Sequence, residues 1–113
     1  MSKQYQEYLR HILLECLWLQ SQFSQAISID AFIADETLKR ATVRSLEIIG
    51  EATKKIPADQ KLRWPKIAWK NMAGMRDRLI HDYMGVNYLI VWDVVKNFIP
   101  DLTIQIESIL AEG

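Results

Sequence analysis

The sequence predicts an all-α protein, a four-to-five-helix up-down bundle. Three observations carry this. Apolar residues recur at spacings of three and four along most of the chain, and no apolar–polar alternation lasts more than a few residues. Gly and Pro together number only seven in 113 residues. A chain of this length makes one domain, residues 1–113, large enough to bury a core but without room for a second.

In the first segment Tyr5, Leu9, Ile12, Cys16, Leu19 and Phe23 form one apolar stripe of a long helix, widened by Leu13 and Leu17. Ser28 to Asp30 is a break with good capping residues. A second helix runs from Asp30 or Asp35 to Lys55, with Phe32, Ile33, Leu38, Ala41, Leu46, Ile49 and Ala52 on its buried side and Pro57 as its stop. Gly50 in its interior costs about 1 kcal/mol relative to Ala, a cost that a close helix contact or a ligand's approach would explain, as would plain tolerance. After a turn at Ala58 to Leu62, Pro65 sits at the start of a third helix, Lys66 to about Tyr83, which Met84-Gly85 ends. A last helix from Asn87 to about Ala111 buries Val91, Val95, Phe98, Leu102, Ile106 and Ile109, and Pro100 kinks it. Leu89 to Val95 is apolar on more than one face, which suits either a homodimer interface or a helix buried within the monomer.

Half the residues are apolar and a quarter charged, as in an ordinary soluble protein. No apolar stretch is long enough to span a bilayer, and the N-terminus lacks a signal-peptide core, so a cytoplasmic location is expected. Cys16 is the only cysteine, which excludes a disulfide framework and a thiolate metal cluster. No His-x3-His or carboxylate cluster of ligand quality occurs, so no cofactor or metal is expected. With 14 basic and 14 acidic residues, a general electrostatic grip on nucleic acid is not expected either. The exception is local. Between Arg63 and Arg78 five basic residues (Arg63, Lys66, Lys70, Arg76, Arg78) face one acid, Asp77; most of them read as a solvated basic face, and any anion site belongs there. Trp18, Trp64, Trp69 and Trp92 read as core or interface anchors, and His11 as structural.

The chemistry of the chain concentrates in Arg76-Asp77-Arg78-Leu79-Ile80-His81-Asp82-Tyr83, which gathers two guanidiniums, an imidazole, two carboxylates and a phenol in eight residues. An arginine can stabilise a phosphorane and a histidine can move protons near neutral pH, which together suffice for RNA cleavage without a metal.

Arg76-x4-His81-x-Tyr83, with Gly74-Met75 before it and Gly85 after it, resembles the signature of the HepT-like HEPN proteins, formerly a domain of unknown function found beside minimal nucleotidyltransferases. Glu47-Ile48-Ile49-Gly50-Glu51-Ala52 resembles the Glu-x-x-Gly-Glu-Ala helix of that family, and Val86-Asn87-Tyr88-x-x-Val91-Trp92 its fourth helix. The resemblance covers nearly the whole chain. It implies a HEPN-like bundle that dimerises, with two Arg-x4-His motifs facing each other as a metal-independent endoribonuclease site. It further implies a toxin of the HepT/MntA type, acting on tRNA or mRNA. Its antitoxin is a minimal nucleotidyltransferase that transfers AMP to the motif tyrosine. Carried over to this sequence, Arg76 and His81 are the catalytic pair and Tyr83 the AMP acceptor, with Arg78, Asp77 and Glu51 in support.

On a straight helix, residues five apart point about 140° away from each other, so Arg76 and His81 would not share a face, whereas Asp77 and His81 would. Either Arg76 reaches round, or the helix distorts at the motif, or the working pair comes from two subunits. In the last turn of a helix, His81 would be favoured as imidazolium by the helix dipole and by Asp77. Arg76 would pair with Glu51 or Glu47 on the second helix. The competing reading is a non-catalytic helical module that binds a nucleotide or RNA and partners a nucleotidyltransferase; the plainest is a small dimeric scaffold.

Overall fold

In the computed structural model, residues 4–24, 26–81 and 85–112 are described, 80 and 81 by backbone alone. Tyr83, the expected AMP acceptor, lies outside the described residues, as do Asp82 and Met84. The chain folds as helices α1 (Gln4–Phe23), α2 (Ile29–Ala34), α3 (Glu36–Lys55), α4 (Ala58–Leu62), α5 (Trp69–Ala73) and α6 (Met75–Leu79). A two-strand hairpin follows, β1 (Ile80–His81) and β2 (Gly85–Val86), then α7 (Tyr88–Asp93), a π-helical turn (Val94–Phe98) and α8 (Ile99–Glu112). Apart from that hairpin the described chain is all-α, as its periodicity predicts. No described helix is long and apolar enough to cross a membrane.

Helix boundaries follow local chemistry. Ser28 Oγ accepts from the Ala31 N–H at 3.1 Å and starts α2. Asp35 closes α2 through its own N–H, which donates to the Phe32 carbonyl, and opens α3 by accepting from the Leu38 N–H at 2.9 Å. The expected second helix is thus two helices divided by one residue with two capping duties. Asn87 Oδ1 accepts from the Leu89 and Ile90 N–H groups and opens α7.

Helix α1 packs against both α3 and α8. Its stripe Leu9, Ile12, Cys16 and Leu19 is fully buried, against Leu46 and Ile49 of α3 and Leu102 and Ile106 of α8 in one core. Leu17, expected to widen the stripe, is 43% exposed, and Ile33 of α2 also faces out.

Two further expectations are corrected. Pro65 does not start a helix; it lies in a turn, and α5 begins only at Trp69. The indole N–H of Trp69 donates to the Lys61 and Trp64 carbonyls at 3.1 and 3.0 Å, and these bonds hold the irregular segment in place. Phe98, expected in the core, is half-buried, and Ile99 beside it is fully buried. The cause is the π turn ahead of Pro100. Pro100 has no N–H to give, and the preceding Ile99 N–H donates to Val94, five residues back. That wider turn inserts one residue and slips the apolar phase by one position.

The final helix buries Val91, Val94 and Val95 within the bundle and leaves Leu89 64% exposed.

Candidate active site

Arg76 lies on α6, and α6 packs on α3. Gly50 explains how closely. A Cβ built on Gly50 would stand 3.0 Å from the Met72 carbonyl oxygen of α5 and 3.5 Å from Met75 Cβ at the start of α6. The backbone of the α5–α6 joint therefore rests on the surface of α3 where the side chain is missing, and the close contact is the reason for glycine in mid-helix. One turn earlier on α3, Glu47 Oε2 stands 3.6 Å from Arg76 Nε. Glu51, the other expected partner, turns instead to Arg44 Nη1, at 3.4 Å. Asp77 and Arg78 are exposed on α6.

The third helix does not reach His81. It is broken at Gly74 and ends at Leu79; Ile80 pairs with Val86 and His81 with Gly85 in an antiparallel ladder. The Asn87 N–H donates to the Leu79 carbonyl at 2.9 Å, which closes the base of the hairpin. Gly85 has φ +119°, a conformation that side-chain-bearing residues rarely adopt, and its role is to turn the chain into β2 rather than to stop a helix. The expectation that His81 occupies the last helical turn, one turn from Asp77, is therefore overturned. The helical-wheel separation of Arg76 from His81 goes with it, because the helix ends between them.

Between α3 and the start of α7 stands a feature that sequence reasoning passed over. Lys39 is 8% exposed, its ammonium 2.8 Å from Glu36 and 4.7 Å from the centre of the Tyr88 ring. The hydrogen bond from Lys39, and then its charge, hold the Glu36 carboxyl below its ordinary pKa. Tyr88 opens α7 directly after β2 and meets Phe32 edge-on, and Phe32 packs on Phe23 and Trp92. The clue was available in the spacing: Lys39 precedes Thr42, Val43 and Leu46 by three, four and seven residues, on the buried stripe of α3.

The basic segment divides between two surroundings. Arg63 stacks on the Trp64 ring and, with Lys66, borders a cavity of about 420 Å³ against Ile104 and Glu112 of α8, whereas Arg76 of α6 faces Glu47 of α3. Trp64 Nε1 donates to the Glu112 carboxylate at 3.1 Å. His11 is exposed and meets the edge of Tyr8. No group of three or more His, Cys, Asp or Glu suited to a metal occurs among the described residues. Burial pushes the Cys16 thiol up to about 12.

Chemically, the site offers an exposed guanidinium fixed at one point and an imidazole-bearing residue on an adjoining hairpin. Comparison with known proteins places the chain among relatives of known name. The chain is 50% identical over 103 residues to a protein of Caldanaerobacter subterraneus subsp. tengcongensis named as a candidate RNase, covering 91% of each chain. A Methanocaldococcus jannaschii protein, also named as a candidate RNase, is 46% identical over 90 residues, 80% of this chain and 74% of its own. A Thermococcus cleftensis protein named as a probable ribonuclease HepT is 41% identical over 109 residues, 96% of this chain and 98% of its own. No solved structure gives a significant match. The sequence profile described as ribonuclease HepT-like matches residues 13–109, which includes α3, the Arg76–Tyr83 motif and α7. The chain belongs to the HepT-like ribonuclease family.

Proposed function

We propose that the protein is an endoribonuclease toxin that cleaves RNA without a metal, through Arg76 and His81 at the cleft of a homodimer. The supporting observation is the end of the helix at Leu79, between the two residues. It releases His81 from helical phase with Arg76, while Glu47 fixes the arginine at the α3–α6 contact. In the reaction the 2′-hydroxyl attacks the adjacent phosphorus. The 2′-O–P bond forms and the P–O5′ bond breaks, leaving a 2′,3′-cyclic phosphate and a 5′-hydroxyl. One His81 takes the 2′-hydroxyl proton, the partner copy's His81 protonates the leaving O5′, and Arg76 neutralises the phosphorane oxygens. Arg78 and Asp77, exposed on the same short helix, support the site from its rim, Arg78 by contacting the flanking RNA backbone, and Glu51 steadies Arg44 on α3.

Neutralisation follows from Tyr83. A minimal nucleotidyltransferase antitoxin brings ATP, the phenol oxygen attacks the α-phosphorus, and pyrophosphate leaves. The tyrosyl-AMP places a negative charge and a bulky nucleoside two residues from His81, where a tRNA or mRNA strand would lie. Leu89, exposed at the start of α7, together with the exposed Leu14 and Leu17 of α1, supplies apolar surface for a second copy.

The test is expression of the wild-type chain, without a partner, beside His81→Ala in a tightly repressed bacterial host, followed by total RNA analysis. Growth arrest with new RNA fragments in wild type alone is the expected result. Intact RNA and equal growth with both proteins soluble would favour the non-catalytic partner of a nucleotidyltransferase.

A further inference from the structure

Arg44, Glu47, Ile48 and Glu51 fall at i, i+3, i+4 and i+7 of α3 and so share one face of the helix. Glu47 holds Arg76, and Arg44 reaches two turns along to Glu51. The two arginines thus border one pair of glutamates. Beside Arg44, a cavity of about 370 Å³ opens between α1 and α3, lined by Glu15, Trp18, Ala41, Arg44, Ser45 and Ile48. Its volume lies in the range of small-ligand sites. Trp18, half-buried, and Ile48 make apolar walls. Ser45, almost fully buried, donates its hydroxyl to Glu15 Oε1 at 2.8 Å. This bond fixes the carboxylate and leaves acceptor sites on both of its oxygens. Arg44, 60% exposed, stands at the mouth as a cation.

An aromatic face, a fixed acceptor edge and a cation at the rim are what a single-stranded nucleotide requires for its base and phosphate. A carboxylate repels the RNA backbone but accepts from base N–H groups, and guanine presents two on one edge. We propose that this cavity is a nucleobase subsite for a nucleotide flanking the cleaved phosphodiester. Trp18 stacks on the base, Glu15 selects one with N–H donors, guanine foremost, and Arg44 meets the phosphate that leads toward Arg76. The proposal rests on the ribonuclease reading and adds a base preference to it.

The experiment uses the full chain and an RNA pool of randomised sequence, with the ends of the products sequenced and KM and kcat measured on one RNA cut by wild type. Trp18→Ala is expected to raise KM about tenfold with kcat little changed, and Trp18→Phe to restore most of the loss. Glu15→Gln is expected to flatten the guanine preference near the cut, an effect that a merely structural role for Glu15 would not produce. Arg44→Gln is expected to weaken all sequences alike and lower the salt dependence of KM. If Trp18→Ala fails to fold, Glu15→Gln and Arg44→Gln still decide. Wild-type KM and base preference in those two variants would overturn the subsite and leave the nuclease standing. A wild-type chain that cuts no RNA removes both. If Trp18→Ala alters the mass measured by light scattering while per-site cleavage stays the same, the face belongs to a second copy and the subsite is overturned.

Discussion

Arg76 and Glu47 meet at 3.6 Å across the α3–α6 contact, and the acid is the more buried of the two, with 21% of its side chain exposed against 68% for the arginine. The carboxylate is therefore the fixed partner, set on a twenty-residue helix, and the guanidinium is the one that a phosphate can still approach. Ion pairs this exposed contribute about 0–1 kcal/mol to stability. Glu47→Gln is accordingly expected to shift the melting temperature by only a few degrees while reducing RNA cleavage roughly tenfold. Initial rates and thermal melts on the same preparation check this. A loss of rate matched by a large fall in melting temperature would assign Glu47 to the fold alone.

Gly50→Ala sets two effects against each other. Alanine raises helix propensity by about 1 kcal/mol. Its methyl, however, stands 3.0 Å from the Met72 carbonyl, a backbone atom with little freedom to yield. Overpacking of this kind costs about 1–3 kcal/mol, so a net loss of about 1 kcal/mol is expected. Urea denaturation measures it. A stabilised Gly50→Ala would mean that the α5–α6 joint moves easily.

Thr42 is fully buried on α3, and its hydroxyl has no hydrogen-bond partner among the described residues. Valine has nearly the same shape and nothing to leave unsatisfied. Thr42→Val is expected to stabilise the protein by about 1 kcal/mol, seen as a melting temperature several degrees higher. An unchanged or lower value would point to a bound water or partner group at that hydroxyl.

Cys16 is expected to resist alkylation. Its thiol titrates near 12 because burial disfavours the thiolate, so at pH 8 the reactive form is scarce as well as sheltered. Iodoacetamide should label it only after denaturation, and the native rate should rise with pH only in strongly alkaline solution. Rapid native labelling at pH 8, followed by mass spectrometry, would contradict the burial.

The legible parts of the fold are those decided locally. Ser28, Asp35 and Asn87 have capping side chains, and each opens a helix. The α1 stripe needs only a period, whereas Gly50 raises a close contact as one explanation among three and the Met72 carbonyl decides for it. The end of the third helix at Leu79 is not marked by the residues at which it occurs. Ile80 and His81 carry no breaker, and what turns them into a strand comes only after them, in the Asn87 N–H on the Leu79 carbonyl and the positive φ of Gly85. The site follows the same division. Residue types and spacing single out the Arg76 motif, but the choice of Glu47 over Glu51 as its partner depends on the separate pairing of Glu51 with Arg44. Lys39 escaped because a lysine on an apolar stripe is discounted as exposed, whereas here Glu36 and the Tyr88 ring compensate its charge.

The π turn ahead of Pro100 divides the labour of the C-terminal rod. One surplus residue advances every later side chain by about 100° around the axis. Upstream of it, α7 contacts α3 and α6, the helices of the candidate site; downstream, α8 contacts α1. A regular helix through the same span would aim both halves in one direction. By slipping one step, a single stretch of chain serves as a wall for the chemistry at one end and as ballast for the core at the other.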